Sequence, residues 1–145
     1  MNEYEEDKLA TKWGEDLAHL ISRKFGTDLG FVLEALKIQL IIVPQDQPEF
    51  PFARYAVWEG DRRAIRLFQR PLLEKFSDWN FAARHACAHE LLHALIADRY
   101  RFLPLVAPPP TLSARAEELA AEAFAEVMAR NFRLTLEGRV LNFGL

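Results

Sequence analysis

The stretch RHACAHELLHALIADRY, from Arg84 to Tyr100, places His89 and His93 four residues apart with Glu90 beside the first. That spacing constrains the backbone. On a helix, side chains at i and i+4 stand one above the other on the same face. Two imidazoles so placed reach one ion at the ~2.0–2.1 Å of zinc–nitrogen bonds. Glu90, one step around the helix, lies beside such an ion, where a carboxylate takes a proton from water. The competing reading is a core helix that carries histidines by coincidence. The mid-helix position of the motif, away from any breaker, favours the metal.

A catalytic zinc needs a third protein ligand and an open position. The continuation that would supply a third histidine on the same segment is absent, because Ile96 and Arg99 stand where Gly and His are required. The search therefore moves to ARAEELAAEAFAEVMA, which carries Glu117, Glu118, Glu122 and Glu126. Glu118 and Glu122 share one helical stripe, with Ala121 and Ala125 beside it as small residues that permit close helix approach. Leu119, Phe124, Val127 and Met128 supply apolar surface for a core. Glu117 and Glu126 fall farther round and read as solvated charges. Glu118 is thus the expected third ligand. Glu122 is expected to accept a hydrogen bond from the second ring nitrogen of a ligand histidine. An exchange of these two roles fits the spacing as well.

The remaining chain bounds the setting. With 145 residues, half of them hydrophobic, it suits one domain over residues 1–145, with a core over about 9–130 and a weakly patterned tail over 131–145. A formal charge of −3 gives no reason to expect nucleic acid or an acidic membrane as partner. Cys87 is the sole cysteine, so a reducing compartment, the cytoplasm, is expected, and the thiol reads as core. The acidic start MNEYEEDKLA has no apolar run of a signal peptide, and LIIV, from Leu40 to Val43, is far too short to span a bilayer.

The order of elements points to an α+β fold, with a small antiparallel or mixed sheet packed against helices. Leu9, Trp13, Leu17, Leu20 and Ile21 recur at helical spacing between Asp7 and Phe25, and Gly26 suits the end of that helix. GFVLEAL predicts a short helix and KIQLIIV a strand ended by Pro44. PQDQPEFPF reads as a loop, and RYAVWEGDRRAIRLF as a hairpin turning at Gly60-Asp61. Pro71 opens a short helix through Trp79, a longer one runs from Asn80 to Arg99, and Pro104 with Pro108 to Pro110 forces a break. Thr111 or Ser113 caps a helix from Ala114 to Asn131. FRLTLEGRVLNFGL is expected to form a strand or hairpin.

These motifs resemble the ImmA/IrrE-type metallopeptidases, whose pattern is Arg, four variable residues, H-E-x-G-H, and later E-x-x-A-N-x-F-A. Here RHACAHELLH supplies Arg84, Ala88, His89, Glu90 and His93. EELAAEAFAEVM supplies Glu118, Ala121, Phe124 and Ala125 in register. The resemblance spans roughly Leu9 to Arg130. It implies a zincin-like fold, a zinc ion on His89, His93 and Glu118, Glu90 as catalytic base, and endopeptidase action on a protein substrate. In that family the substrate is typically a helix-turn-helix transcriptional repressor. Leu92 departs from the family's Gly and Glu122 from its Asn, and the Pro that commonly ends the second helix is missing. A non-catalytic zinc-binding module that recognises a partner is the alternative, though such sites seldom keep a base and usually fill all four positions with Cys or His.

An extended substrate is expected to pair with one arm of the hairpin, with RAIRLF as the first candidate. Tyr55, Arg63, His85 and Tyr100 are considered as oxyanion donors. His85, one turn before His89, otherwise reads as a helix-packing or surface histidine, or as a residue that supports a ligand histidine; His19 reads as an ordinary one; and Arg84 reads as solvated, or as positioning the motif helix through a carboxylate.

Overall fold

The computed structural model describes residues 2–44, 55–98 and 111–136. Among these, five helices and one three-stranded mixed sheet make an α+β architecture. The helices are α1 (Glu3–Phe25), α2 (Leu29–Ala35), α3 (Gln69–Lys75), α4 (Trp79–Ala97) and α5 (Ala114–Asn131). The strands are β1 (Gln39–Val43), β2 (Ala56–Glu59) and β3 (Ala64–Phe68).

Caps set the helix starts. The Asn2 side chain accepts from the Glu5 N–H and begins α1 four residues ahead of the expected Asp7. Asp78 accepts from Asn80 and Phe81, so Trp79 belongs to α4 and not to α3. Ser113, one of the two expected caps, accepts from Ala116 at the start of α5. Gly26, at φ 79°, closes α1 in the left-handed region that suits glycine.

The apolar stripe of α1 is narrower than its large residues suggest. Ala10, Gly14, Leu17, Ala18 and Ile21 are buried, whereas Leu9 is exposed. Gly14 explains why. A Cβ added there would meet the Ala120 carbonyl oxygen of α5 at 2.3 Å, so the two helices approach backbone to backbone along small residues. That contact, and the packing of α5 on α4, hold α5 beside the histidines.

The sheet order is β1-β3-β2, with β1 parallel and β2 antiparallel to β3. One face, carrying Leu40, Ile65 and Leu67, joins the principal core with the helices. The other carries Ile41, Val43, Ala64 and Phe68. The hairpin turns over four residues, Gly60 to Arg63, in place of the expected two-residue reversal. Arg63 sits there at φ 49°, and its guanidinium donates to the Leu36 carbonyl and pairs with Asp98. These contacts offset the cost of a left-handed non-glycine residue.

Arg66 is buried against Glu59 in an ion pair on the second sheet face. After α5 the chain makes one bridge, Arg133 with Asp28, and no strand through residue 136. Most of the Pro-rich loop, the break at Pro104 to Pro110, Tyr100 and the tail beyond residue 136 lie outside the described residues. No helix among those described is long and apolar enough to cross a membrane.

Candidate metal centre

Helices α4 and α5 run antiparallel, so each turn up α4 meets one turn down α5. His89 Nε2 lies 3.1 Å from Glu118 Oε2, and His93 Nε2 lies 2.8 Å from Glu118 Oε1. The Glu118 carboxylate therefore stands between the two Nε2 atoms. The opposite ring nitrogens are also engaged: His89 Nδ1 donates to Glu122 Oε1 at 2.9 Å, and His93 Nδ1 to Glu117 Oε2 at 2.6 Å. One ligand-capable atom each from His89, His93 and Glu118 falls within a 4.8 Å group.

This donor set fits zinc. Carboxylates on both Nδ1 atoms would accept each ring's proton there if the Nε2 atoms turned their lone pairs to an ion beside Glu118. The structure thus brings together His89, His93, Glu118 and Glu122 as the spacing proposed. It also corrects the reading of Glu117 and Glu126 as solvated charges. Glu117 holds His93, and Glu126 reaches His85 Nε2 at 3.3 Å and Arg130 at 3.2 Å. Glu117 stood outside the i, i+4 stripe; only the side-chain reach from the first turn of α5 brings it to His93.

Glu90 is largely removed from solvent and accepts a hydrogen bond from the Trp58 backbone N–H. Burial pushes its carboxyl above the ordinary carboxylate value, against the opposing pull of His93 and His89. For His89, burial favours the neutral ring, but the Glu122 hydrogen bond with the charges of Glu90, Glu118 and Glu122 outweighs it, so the net shift is upward. Glu122 is held low, chiefly by its hydrogen bond to His89.

These directions give a stability profile for protein stripped of metal. His89, with its folded value raised, stabilises the fold fully below about pH 6.5, and this contribution fades as pH rises through the folded value. The raised Glu90 acts in the same direction, because ionising it in the fold costs more than in the unfolded chain. Glu122 acts oppositely and is lost only as pH falls below its ordinary 4.5. Chelated protein is therefore expected to melt at lower temperature at about pH 8 than at about pH 6. A zinc ion held by these imidazoles would compete with protons for them, so a rise in Tm on adding zinc would grow over that interval. A chelated Tm that rises with pH would contradict the assignment.

The site opens into a cleft of about 760 Å³, within the ~300–1,000 Å³ of small-ligand pockets. Tyr55, Val57, Leu72 and Phe76 give it an apolar side, and Lys75 lies over the Tyr55 ring at 4.7 Å. β3 is the central strand, which overturns RAIRLF as a substrate-pairing edge. The edge strand at the cleft is β2. The Phe68 N–H donates to the Tyr55 carbonyl, so by the antiparallel alternation the backbones of Ala56 and Trp58 face away from β3.

Other expectations resolve by position. Arg63 is committed to Leu36 and Asp98, while Tyr55 and His85 line the cleft. His19 is exposed. Arg84 is not simply solvated: it donates to the Phe132 carbonyl at 3.0 Å and stacks on Phe81, tying α4 to the segment after α5. Cys87 is fully buried. Leu92 is also fully buried in the principal core and does not line the cleft, so the bulk added there fills the interior.

No protein-family model, curated protein or solved structure matches this chain.

Proposed function

We propose that this cleft is the centre of a zinc-dependent endopeptidase of the ImmA/IrrE type, with a zincin-like arrangement of the His-bearing and Glu-bearing helices. The observation that carries the reading is the orientation of five side chains. Both Nε2 atoms meet Glu118 while Glu122 and Glu117 occupy the Nδ1 atoms. His89, His93 and Glu118 would hold the ion. Bound zinc supplies Lewis acidity that polarises a scissile carbonyl and acidifies water.

Glu90 then accepts the proton of the attacking water and returns it to the leaving amine. Its raised proton affinity suits both steps. Its bond from the Trp58 N–H fixes the carboxylate beside the edge strand. An extended peptide pairing with β2 would lie across this carboxylate, with the outward Ala56 backbone as its partner. Tyr55 lines the same side of the cleft, and its hydroxyl would be the donor to a developing oxyanion. A helix-turn-helix repressor as substrate, and the cytoplasm as location, rest on the resemblance and on the lone cysteine respectively.

The test is hydrolysis of a mixed-sequence peptide pool by zinc-loaded protein, read by mass spectrometry. New termini should appear, vanish with a chelator, and return with added zinc. A protein that binds zinc but leaves the pool intact, and a cognate repressor intact as well, would be a binding module.

A further inference from the structure

One helical turn before His89, the α4–α5 interface builds a second convergent donor set. His85 is only 8% exposed. Its ring is held by Phe76 and Phe81, with centroids at 5.5 and 6.1 Å. That packing fixes the direction of Nε2, which faces Glu126 Oε1 at 3.3 Å and Glu122 Oε2 at 3.7 Å. One ligand-capable atom from each of the three residues lies within 4.8 Å of the others.

We propose that His85, Glu122 and Glu126 bind a second zinc ion, weaker than the first. The inference rests on the metal reading of the cleft, because Glu122 is taken to keep its bond to His89. Three features favour it. The Nε2 atom carries at most one hydrogen and so satisfies one carboxylate oxygen, yet two carboxylates converge on it. Like charges at i and i+4 repel on a helix, and a divalent ion between them removes that cost. The oxygens are also divided between tasks. Glu122 gives Oε1 to His89 and turns Oε2 to His85; Glu126 gives Oε2 to Arg130 and turns Oε1 to His85. Each carboxylate therefore ligates without releasing its present partner. One imidazole nitrogen and two carboxylate oxygens are a donor set that zinc accepts, with a position left for water. The half-exposed carboxylates and the single imidazole make the affinity lower than at the two-histidine site.

The experiment is equilibrium dialysis of the metal-free full chain against buffered Zn2+, with bound zinc counted by elemental analysis. Wild-type protein should take up two ions in two resolved steps, the second at least about 10-fold weaker. Glu126→Gln and His85→Gln should each bind one, with the tighter step unchanged. Glu126 is half exposed, so its variant decides the outcome even where loss of the packed His85 disturbs folding. Wild-type binding of one ion, unaltered by Glu126→Gln, would overturn the second site and leave the first standing; His85 would then be an ion-pairing residue. Two ions in both wild type and Glu126→Gln would also overturn it. No bound zinc in the wild type would remove the first assignment as well.

Discussion

Replacing Glu90 with Gln is expected to slow peptide hydrolysis by about 10²–10⁴-fold while zinc content stays at the wild-type level. That loss equals roughly 2.7–5.5 kcal/mol of transition-state stabilisation. The substitution is close to isosteric, and the amide oxygen can still accept from the Trp58 N–H. What disappears is proton transfer. Glu90 is neither the one Nε2-facing carboxylate nor either of the two Nδ1-facing ones, so its loss should leave the zinc ligands in place. Kinetics and elemental analysis of the same preparation separate the outcomes. Full activity in a zinc-loaded variant would end the general-base role of Glu90.

The second large effect concerns the metal. Glu118→Ala should weaken zinc binding by more than about 100-fold, beyond the ~10–100-fold expected for Glu117→Gln or Glu122→Gln. The ranking follows from which nitrogen each carboxylate faces. Glu118 meets both Nε2 atoms, whereas Glu117 and Glu122 each meet one Nδ1. The Glu118 side chain is 59% exposed, so losing its pairs with the two imidazoles should change metal-free stability by no more than about 1 kcal/mol. Competition against a chromophoric chelator measures all three affinities. If Glu122→Gln alone abolished binding, Glu118 and Glu122 would have exchanged roles.

Much of this site was legible because a helix converts sequence spacing into geometry. His89 and His93, like Glu118 and Glu122, needed only a helical period to fall on one face, and the cap of α5 is Ser113, one of the two residues the sequence offered. Arrangements that depend on the partner element were not legible. Strand order is set by tertiary packing, so nothing local told that RAIRLF would be central and β2 the edge. Glu117 broke the stripe periodicity and was found only by its contact with His93. Large apolar residues misled at α1, where the contact with α5 is made at Gly14 and Ala120, and Leu9 stays outside. Leu92, the departure from the family's Gly, is buried in the core, a placement that spacing alone does not give.

The most direct test of the centre is X-ray absorption at the zinc edge, on protein loaded with one equivalent of zinc. The expected first shell holds only nitrogen and oxygen, at ~2.0–2.1 Å, with the multiple-scattering signature of two imidazoles and none at the ~2.3 Å of zinc–sulfur bonds. His93→Ala should reduce that signature to one imidazole. A sulfur scatterer, or fewer than two imidazoles in the wild type, would contradict a zinc site built from His89, His93 and Glu118.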